Sequence, residues 1–302
     1  MAQKDAAGIA LVIWVMCFGA ALYPGAEACT NLIVTPGASV DGSSIYAYSA
    51  DSAALYGTLD RLPGMSNISP GTTKKIWDWD SGVLLGEIEE VEETFDVVGN
   101  MNEHQLTIGE TTFGGVEELT QGQDGAIMDY GSLIWTTLQR AKTVPEAITV
   151  MADLVDRYGY ASEGESFTLT DPRECWVLEM IGKGQGERGA VWMAVRIPDG
   201  HVAAHANQAR MPFVDMENAD PTTARWSSDV VTFAGLFCCY ARPLCEHSRS
   251  FLTLQCLGCW QLPRSCSILL QAFLSSSPMS TIRSRSVVHA AAKRECGASF
   301  QR

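Results

Sequence analysis

The order in which the hydrophobic pattern changes along the chain most constrains its fold. Strand-like runs of apolar and β-branched residues dominate the stretch from 30 to 110, and two runs with a helical period follow between 126 and 155. Four more strand-like runs then end at 206. Strands, then adjacent helices, then strands again favour antiparallel sheets covered by helices. The sequence therefore predicts an α+β fold.

The first predicted strands form a hairpin directly after Cys29. Residues 30–35 and 44–48 are apolar runs separated by two turn dipeptides built from Pro, Asp and Gly. Residues 94–99 and 105–110 have the same character, with a polar turn between them. We expect each pair of runs to form two neighbouring antiparallel strands.

The helical region is predicted to contain two adjacent amphipathic helices. The first covers residues 126–141, and the second begins at a capping box formed by Thr143 and Glu146, with Pro145 in its first turn. The strands predicted after these helices are 167–170, 175–181, 190–197 and 201–206.

The N-terminus has the features of a secretion signal. Lys4 precedes an apolar run over residues 8–22, and Ala26 and Ala28 supply the small side chains of a cleavage site. That run is about 15 residues long, shorter than the roughly 20 needed to span a bilayer. We expect residues 1–28 to be removed, which leaves no stable membrane span and places the protein in the secretory pathway, secreted or vacuolar/lysosomal. The alternatives are an uncleaved anchor and a lipoprotein signal.

Cleavage after Ala28 would make Cys29 the first residue of the mature chain. An N-terminal cysteine carries a thiol and a free α-amine, whose pKa of roughly 7.7 to 8.0 lies close to the thiol value of about 8.5. The amine can therefore take the proton of the thiol, so one residue supplies nucleophile and base. This predicts an N-terminal-nucleophile mechanism.

Charge separates the chain into two parts and excludes one class of partner. The formal net charge is −14, and no dense basic stripe is present, so we expect no nucleic-acid partner. From residue 237 onward, however, Lys and Arg outnumber Asp and Glu, and seven of the ten cysteines lie there. We expect residues 29–236 to form one domain and residues 237–302 to be a tail that is not a native domain.

Two other interpretations of the tail remain open. It could be a small disulfide-stapled module, or it could bind zinc through a close cysteine pair and a further ligand. The residues concerned are Cys256 and Cys259 for the pair, and Cys245, Cys266 or His247 for the further ligand.

Several short motifs, in order from Cys29 to about Ala234, resemble the PepD-type dipeptidases, a family related to secernins. The resemblance implies an αββα sandwich of N-terminal-nucleophile hydrolases, small peptide substrates, and no metal or organic cofactor. Family members are longer than this chain, so the resemblance also implies that residues 29–236 are a truncated N-terminal-nucleophile hydrolase domain. The motifs are Cys29-Thr30-Asn31, Asp41-Gly42-Ser43, Asp51-Ser52, Gly99-Asn100-Met101-Asn102-Glu103-His104, Glu110-Thr111-Thr112-Phe113, Thr170-Asp171-Pro172, Trp176-Val177-Leu178-Glu179 and Ala206-Asn207-Gln208-Ala209-Arg210.

The resemblance assigns three catalytic residues. Cys29 is the nucleophile, and the carboxylate of Asp51 holds its ammonium group. Asn207 corresponds to the asparagine that stabilises the developing oxyanion, an interaction whose removal costs roughly 3 to 4 kcal/mol.

Weaker candidates line the site. By resemblance, Asn102 and Thr111 are candidates for the wall of the site. The planar guanidinium of Arg210 suits bidentate pairing with a substrate carboxylate, and a surface salt bridge is the alternative. Tyr48 departs from the family pattern, because many relatives carry an arginine there, and a neutral phenol cannot lower a thiol pKa as a guanidinium does. His104, His201 and His205 are interpreted as structural.

Three functions compete at this point. The first is a cysteine-type dipeptidase that forms an acyl-enzyme on Cys29. The second is an N-acyl amide hydrolase with the same chemistry, and the third is an inactive truncated secreted product.

Overall fold

The structure is a computed structural model that describes residues 29–51, 57–120, 123–211 and 214–234, with the backbone of Ile282–Arg283. The predicted signal peptide and almost all of the tail lie outside these residues. Within them, strands are far more numerous than helices. The strands are β1 Thr30–Val34, β2 Ile45–Ser49, β3 Arg61–Leu62, β4 Thr73–Trp77, β5 Leu84–Glu89, β6 Val97–Val98, β7 Met101–Asn102, β8 Thr107–Gly114, β9 Gly164–Thr170, β10 Cys175–Gly182, β11 Ala190–Arg196, β12 His201–Ala206, β13 Ala224–Trp226 and β14 Ile282–Arg283. The helices are α1 Glu117–Thr120, α2 Tyr130–Leu138 and α3 Val144–Tyr158.

The strands form three sheets in which all described strand pairs are antiparallel. The smaller sheet has the order β14-β12-β1-β2, and the larger has the order β13-β11-β10-β9-β8-β7-β6-β3. Strands β4 and β5 pair only with each other. This mixed, sheet-rich architecture agrees with the predicted α+β class.

Strand β10 shows how the layers are arranged, because its alternate side chains enter two different cores. Trp176, Leu178 and Met180 pack in the cluster that contains the buried residues of α2 and α3. Cys175 and Val177 pack in a second cluster, which includes residues of the smaller sheet. The larger sheet therefore lies between helices α2 and α3 on one side and the smaller sheet on the other.

The outward face of the smaller sheet is open among the described residues. Leu32 on β1 is 51% exposed and Ile45 on β2 is 49% exposed. The structure thus describes helices on one side of the stacked sheets, and the second helical layer of an αββα sandwich remains a prediction.

The two main helices begin at side-chain caps. The predicted N-cap is confirmed, since Thr143 Oγ1 accepts from Glu146 N at 3.4 Å. The Glu146 carboxylate accepts from the backbone N–H of Lys142, one residue before the N-cap, at 2.8 Å, so the second half of the predicted capping box differs. The preceding helix begins later than the predicted residue 126, at Tyr130, where Asp129 is the N-cap and accepts from Ser132 N. None of the described helices is long and apolar enough to cross a membrane.

One predicted strand pair is wrong. Residues 94–99 and 105–110 were expected to pair, but β6 pairs with β7, and β7 pairs with β8. The predicted turn contains β7 because the Asn102 side chain organises this segment, accepting from His104 N and Leu106 N at 3.0 and 3.1 Å. The β4–β5 hairpin was not predicted at all.

Candidate active site

The candidate site forms at one edge of the smaller sheet, where β1 begins and its two neighbours, β12 and β2, end. In the register, Thr30 at the start of β1 pairs with Ala206 at the end of β12 and with Ser49 at the end of β2. Because neighbouring strands are antiparallel, the residue before β1 meets the residues that follow β12 and β2. Cys29, Asn207 and Asp51 are therefore brought to one edge of the sheet.

The thiol of Cys29 is half-buried and lies in an acidic environment. Burial raises its pKa above the ordinary value, and the charges of Glu110 and Asp51 raise the pKa further. Hydrogen bonds from the Asp51 backbone N–H and the Asn207 side chain oppose this effect, but the pKa remains raised. Thus the thiol is protonated at neutral pH while the Cys29 nitrogen is still in the peptide bond to Ala28.

Asp51 contacts the sulfur through its backbone. Its exposed carboxylate accepts a hydrogen bond from Ser49 Oγ at 2.7 Å, and its N–H is the group that lowers the thiol pKa. The expected role of the carboxylate in holding an ammonium group stays a prediction. The structure adds a backbone donor at the nucleophile that sequence reasoning missed.

Asn207 is oriented by a second hydrogen bond. Its Nδ2 donates to the backbone oxygen of Thr112 at 2.7 Å, and its side chain also hydrogen-bonds the Cys29 thiol. One amide N–H is thus anchored on β8 while the side chain faces the sulfur. This is the arrangement that an oxyanion donor requires, with the donor fixed before charge develops.

Thr111 and His205 connect the two sheets directly beneath this edge. Thr111 Oγ1 donates to the backbone oxygen of Ala206 at 3.1 Å and lies 2.9 Å from His205 Nδ1, while Thr168 Oγ1 lies 2.7 Å from His205 Nε2. Burial lowers the pKa of His205 to about 4. The neutral imidazole and Thr111 therefore hold β12 against β8, which supports the structural interpretation of His205 and leaves Thr111 buried rather than facing a substrate.

Asn102 and Arg210 are not brought to the thiol by any described contact. The Asn102 amide donates to the carbonyls of Leu138 and Ala141 at 2.8 and 2.7 Å, while its carbonyl oxygen accepts two backbone N–H groups. The Asn102 side chain therefore connects the loop after β7 to the end of α2. The exposed guanidinium of Arg210 binds Gln208, and its backbone N–H donates to the buried carboxylate of Glu179.

Glu110 is the important residue that the sequence analysis did not single out. Its carboxylate accepts from Tyr48 Oη at 2.6 Å, and its backbone oxygen accepts from Asn31 Nδ2 at 3.0 Å. Asn31 Oδ1 in turn accepts from Tyr46 Oη. A charged residue inside an otherwise uncharged strand was the available signal. Tyr48, noted as a departure from the family pattern, binds this carboxylate.

No group of three or more His, Cys, Asp or Glu side chains within the described ranges could hold a metal ion. The groups described around Cys29 are its thiol, the Asn207 amide and the Glu110 and Asp51 carboxyl groups.

Two comparisons with known proteins identify what this chain is similar to. The family model described as "Peptidase family C69" matches residues 71–237, a range that includes Glu110 and Asn207 but not Cys29. A curated "Probable dipeptidase" from Latilactobacillus sakei is 24% identical over 226 residues. The alignment covers 68% of this chain and 44% of the relative, so the chain spans less than half of the relative's length. With more than half of its residues matched by that model, the chain belongs to peptidase family C69, a dipeptidase family.

Proposed function

We propose that this protein is a cysteine-type dipeptidase that cleaves small peptides through an acyl-enzyme on Cys29. The observation that carries the proposal is the meeting of the Cys29 thiol with the Asn207 side chain at the start of β1. Membership of a peptidase family and similarity to a probable dipeptidase support the substrate class. The αββα architecture of N-terminal-nucleophile hydrolases belongs to the same proposal.

Activation would require removal of residues 1–28. A peptide nitrogen cannot accept the thiol proton, whereas a free α-amine with a pKa of roughly 7.7 to 8.0 can. The negative charge of Glu110, which raises the pKa of the thiol in the uncleaved chain, would stabilise the ammonium group formed in the cleaved chain. We further propose that processing occurs in the secretory pathway, on the basis of the predicted signal.

The reaction then proceeds in two halves. The proton of the Cys29 thiol moves to the α-amine, and the thiolate adds to the peptide carbonyl carbon. The resulting oxyanion is stabilised by the Asn207 N–H, and the ammonium group protonates the leaving amine as the C–N bond breaks. In the second half, the amine removes a proton from water, which attacks the thioester, and the thiol is regenerated.

The test compares three proteins that differ only at the N-terminus. Protein beginning at Cys29 should hydrolyse dipeptides, as measured by chromatographic detection of both amino acids. Protein that retains Ala28 should be inactive, because its Cys29 nitrogen is acylated, and Cys29→Ala should be inactive with an unchanged circular dichroism spectrum. Equal hydrolysis by the extended and the processed proteins would refute the mechanism, and absence of hydrolysis by the processed protein would refute the function.

A further inference from the structure

Two buried carboxyl groups lie side by side beneath the candidate active site. Glu110 on β8 is 3% exposed and Glu165 on β9 is 1% exposed. In the register of these strands, Glu165 pairs with Thr112, two residues from Glu110. The two glutamates are thus diagonal neighbours on one face of the sheet, where side chains approach within interaction distance.

Each glutamate of this pair uses one carboxylate oxygen in a hydrogen bond to a neighbouring hydroxyl group. Glu110 Oε1 accepts from Tyr48 Oη at 2.6 Å, and Glu165 Oε1 accepts from Thr112 Oγ1 at 2.9 Å. The other oxygens, Glu110 Oε2 and Glu165 Oε2, are buried without a further hydrogen-bond partner in the described part of the chain. Neither residue takes part in an ion pair there.

Two adjacent buried carboxylates without a cation cannot both remain charged at ordinary pH, because desolvation and mutual repulsion each oppose ionisation. A single proton between the two remaining oxygens removes one charge and satisfies both atoms with one hydrogen bond. We propose that Glu110 and Glu165 share one proton, held on Glu165, and act as a positioning pair that places one negative charge beside Cys29.

The electrostatics of Glu165 agree with this assignment. Burial raises its pKa well above the usual carboxyl value, and the charge of the neighbouring Glu110 carboxylate raises it further. Thr112 opposes the shift, and the exposed Glu163 adds to it.

The other titratable groups facing the pair are uncharged phenols and the nucleophile. Burial first, and then the charge of Glu110 among other effects, raises the pKa of Tyr46 and Tyr48 on β2. Burial likewise raises the pKa of Tyr130 and Tyr160, with further contributions from both glutamates. All four phenols are therefore neutral at physiological pH, and Glu110 supplies the interior negative charge that acts on Cys29.

This charge has opposite consequences before and after cleavage, an interpretation that rests on the proposed function. In the uncleaved chain it adds to burial, the larger cause, in raising the thiol pKa, so the thiol stays protonated and unreactive. Once the amine is free, the same charge favours transfer of the thiol proton to nitrogen, because an ammonium group beside a carboxylate is stabilised. The pair would hold the precursor inactive and support the ion pair of the mature enzyme.

The test measures the pKa of the Cys29 thiol in the uncleaved chain, from the pH dependence of its alkylation by iodoacetamide. Peptide mass spectrometry assigns the modification to Cys29, which separates it from the other cysteines. Glu165→Gln should leave the thiol pKa nearly unchanged, because a neutral amide replaces a neutral acid and can still donate to Glu110. Glu110→Gln should lower the thiol pKa by about one unit, giving about tenfold more thiolate at a fixed pH below the pKa.

Two further variants sharpen the comparison. In Glu110→Gln the charge can move to Glu165, one strand away, so Glu110→Gln with Glu165→Gln should lower the thiol pKa at least as much. Glu163→Gln removes an exposed charge nearby and should have no effect. A thiol pKa that falls as far in Glu165→Gln as in Glu110→Gln, or that does not fall in Glu110→Gln, would overturn the proposal.

A second measurement uses no variant of Glu110, so it stays informative even when Glu110→Gln does not fold. Infrared difference spectra of the wild-type protein and Glu165→Gln at neutral pH should show loss of the carbonyl band of a protonated carboxylic acid. Loss of a carboxylate band instead would overturn the assignment of the proton. These readouts do not depend on turnover, so an inactive processed enzyme with the expected thiol shifts would reject the dipeptidase function and leave the carboxyl pair standing.

Discussion

Replacement of Asn207 by alanine tests whether this residue stabilises the oxyanion in the candidate site. The Asn207 amide has two connections in the structure, a 2.7 Å hydrogen bond to the Thr112 backbone oxygen and a hydrogen bond to the Cys29 thiol. Asn207→Ala removes both without adding bulk. The first connection concerns stability and the second concerns chemistry, so their losses can be measured separately.

The expected magnitudes differ between the two. Loss of the bond to Thr112 should lower the free energy of unfolding by about 1 kcal/mol. Loss of a donor to the oxyanion should lower kcat by about 10² to 10³, which corresponds to roughly 2.7 to 4 kcal/mol of transition-state stabilisation. The thiol pKa should rise, because Asn207 lowers it in the wild-type protein.

Asn100 provides a matched control. Its Nδ2 donates to the backbone oxygen of Ile108, also at 2.7 Å, and it is not among the groups that act on Cys29. Asn100→Ala should therefore lose similar stability and retain kcat. Dipeptide hydrolysis by the processed proteins and urea unfolding provide the two measurements.

One outcome would contradict the role of Asn207 as the oxyanion donor. If Asn207→Ala keeps more than about a third of the wild-type kcat while losing the same stability as Asn100→Ala, then Asn207 is only a link between the sheets. The oxyanion would in that case be stabilised by another donor, for which the Asp51 backbone N–H is the available group.

Two further predictions concern stability. His205 is held neutral with a pKa of about 4, below the reference of about 6.5, so its folded-state environment favours the neutral form and stability should fall as pH drops from about 6.5 to 4. The loss should be about 3 kcal/mol between these values, and His205→Gln should abolish that part of the pH dependence of unfolding. A pH dependence identical in both proteins would contradict the assignment. Thr143→Ala removes the N-cap of α3 and should lower the free energy of unfolding by about 1 kcal/mol without changing kcat; a change in dipeptide turnover would show that α3 acts on the site.

Local sequence patterns predicted the elements that are marked by turn residues, capping residues or a regular alternation of apolar and polar side chains. The hairpin of β1 and β2, the N-cap of α3 and the bounds of β12 all follow from side chains near one another in the sequence. The segment between 94 and 110 could not be predicted in the same way, because Asn102 forms its strand-and-turn arrangement through carbonyls at the end of α2, 36 and 39 residues away.

The sequence alone identified Cys29, Asp51 and Asn207 as candidates, since each belongs to a short motif that resembles one family. It could not show that Asp51 meets the sulfur through its backbone, or that Thr111 and Asn102 are occupied by structural hydrogen bonds. The Asp51 contact depends on which strand ends meet at an edge of the smaller sheet. The Thr111 and Asn102 contacts depend on β8 packing against β12 and on β7 lying beside the end of α2.

Composition and local pattern thus determined the α+β class and the order of the main elements, and singled out Cys29 as the candidate nucleophile. Only the tertiary structure decided the electrostatics of the site, because Glu110 becomes an influence on Cys29 when β8 packs beneath β1 and β2. The pairing of Glu110 with Glu165 also depends on the register of β8 and β9. Residue type alone fixes which side chains can carry a charge, but the burial and proximity that shift a pKa arise only when distant segments pack together.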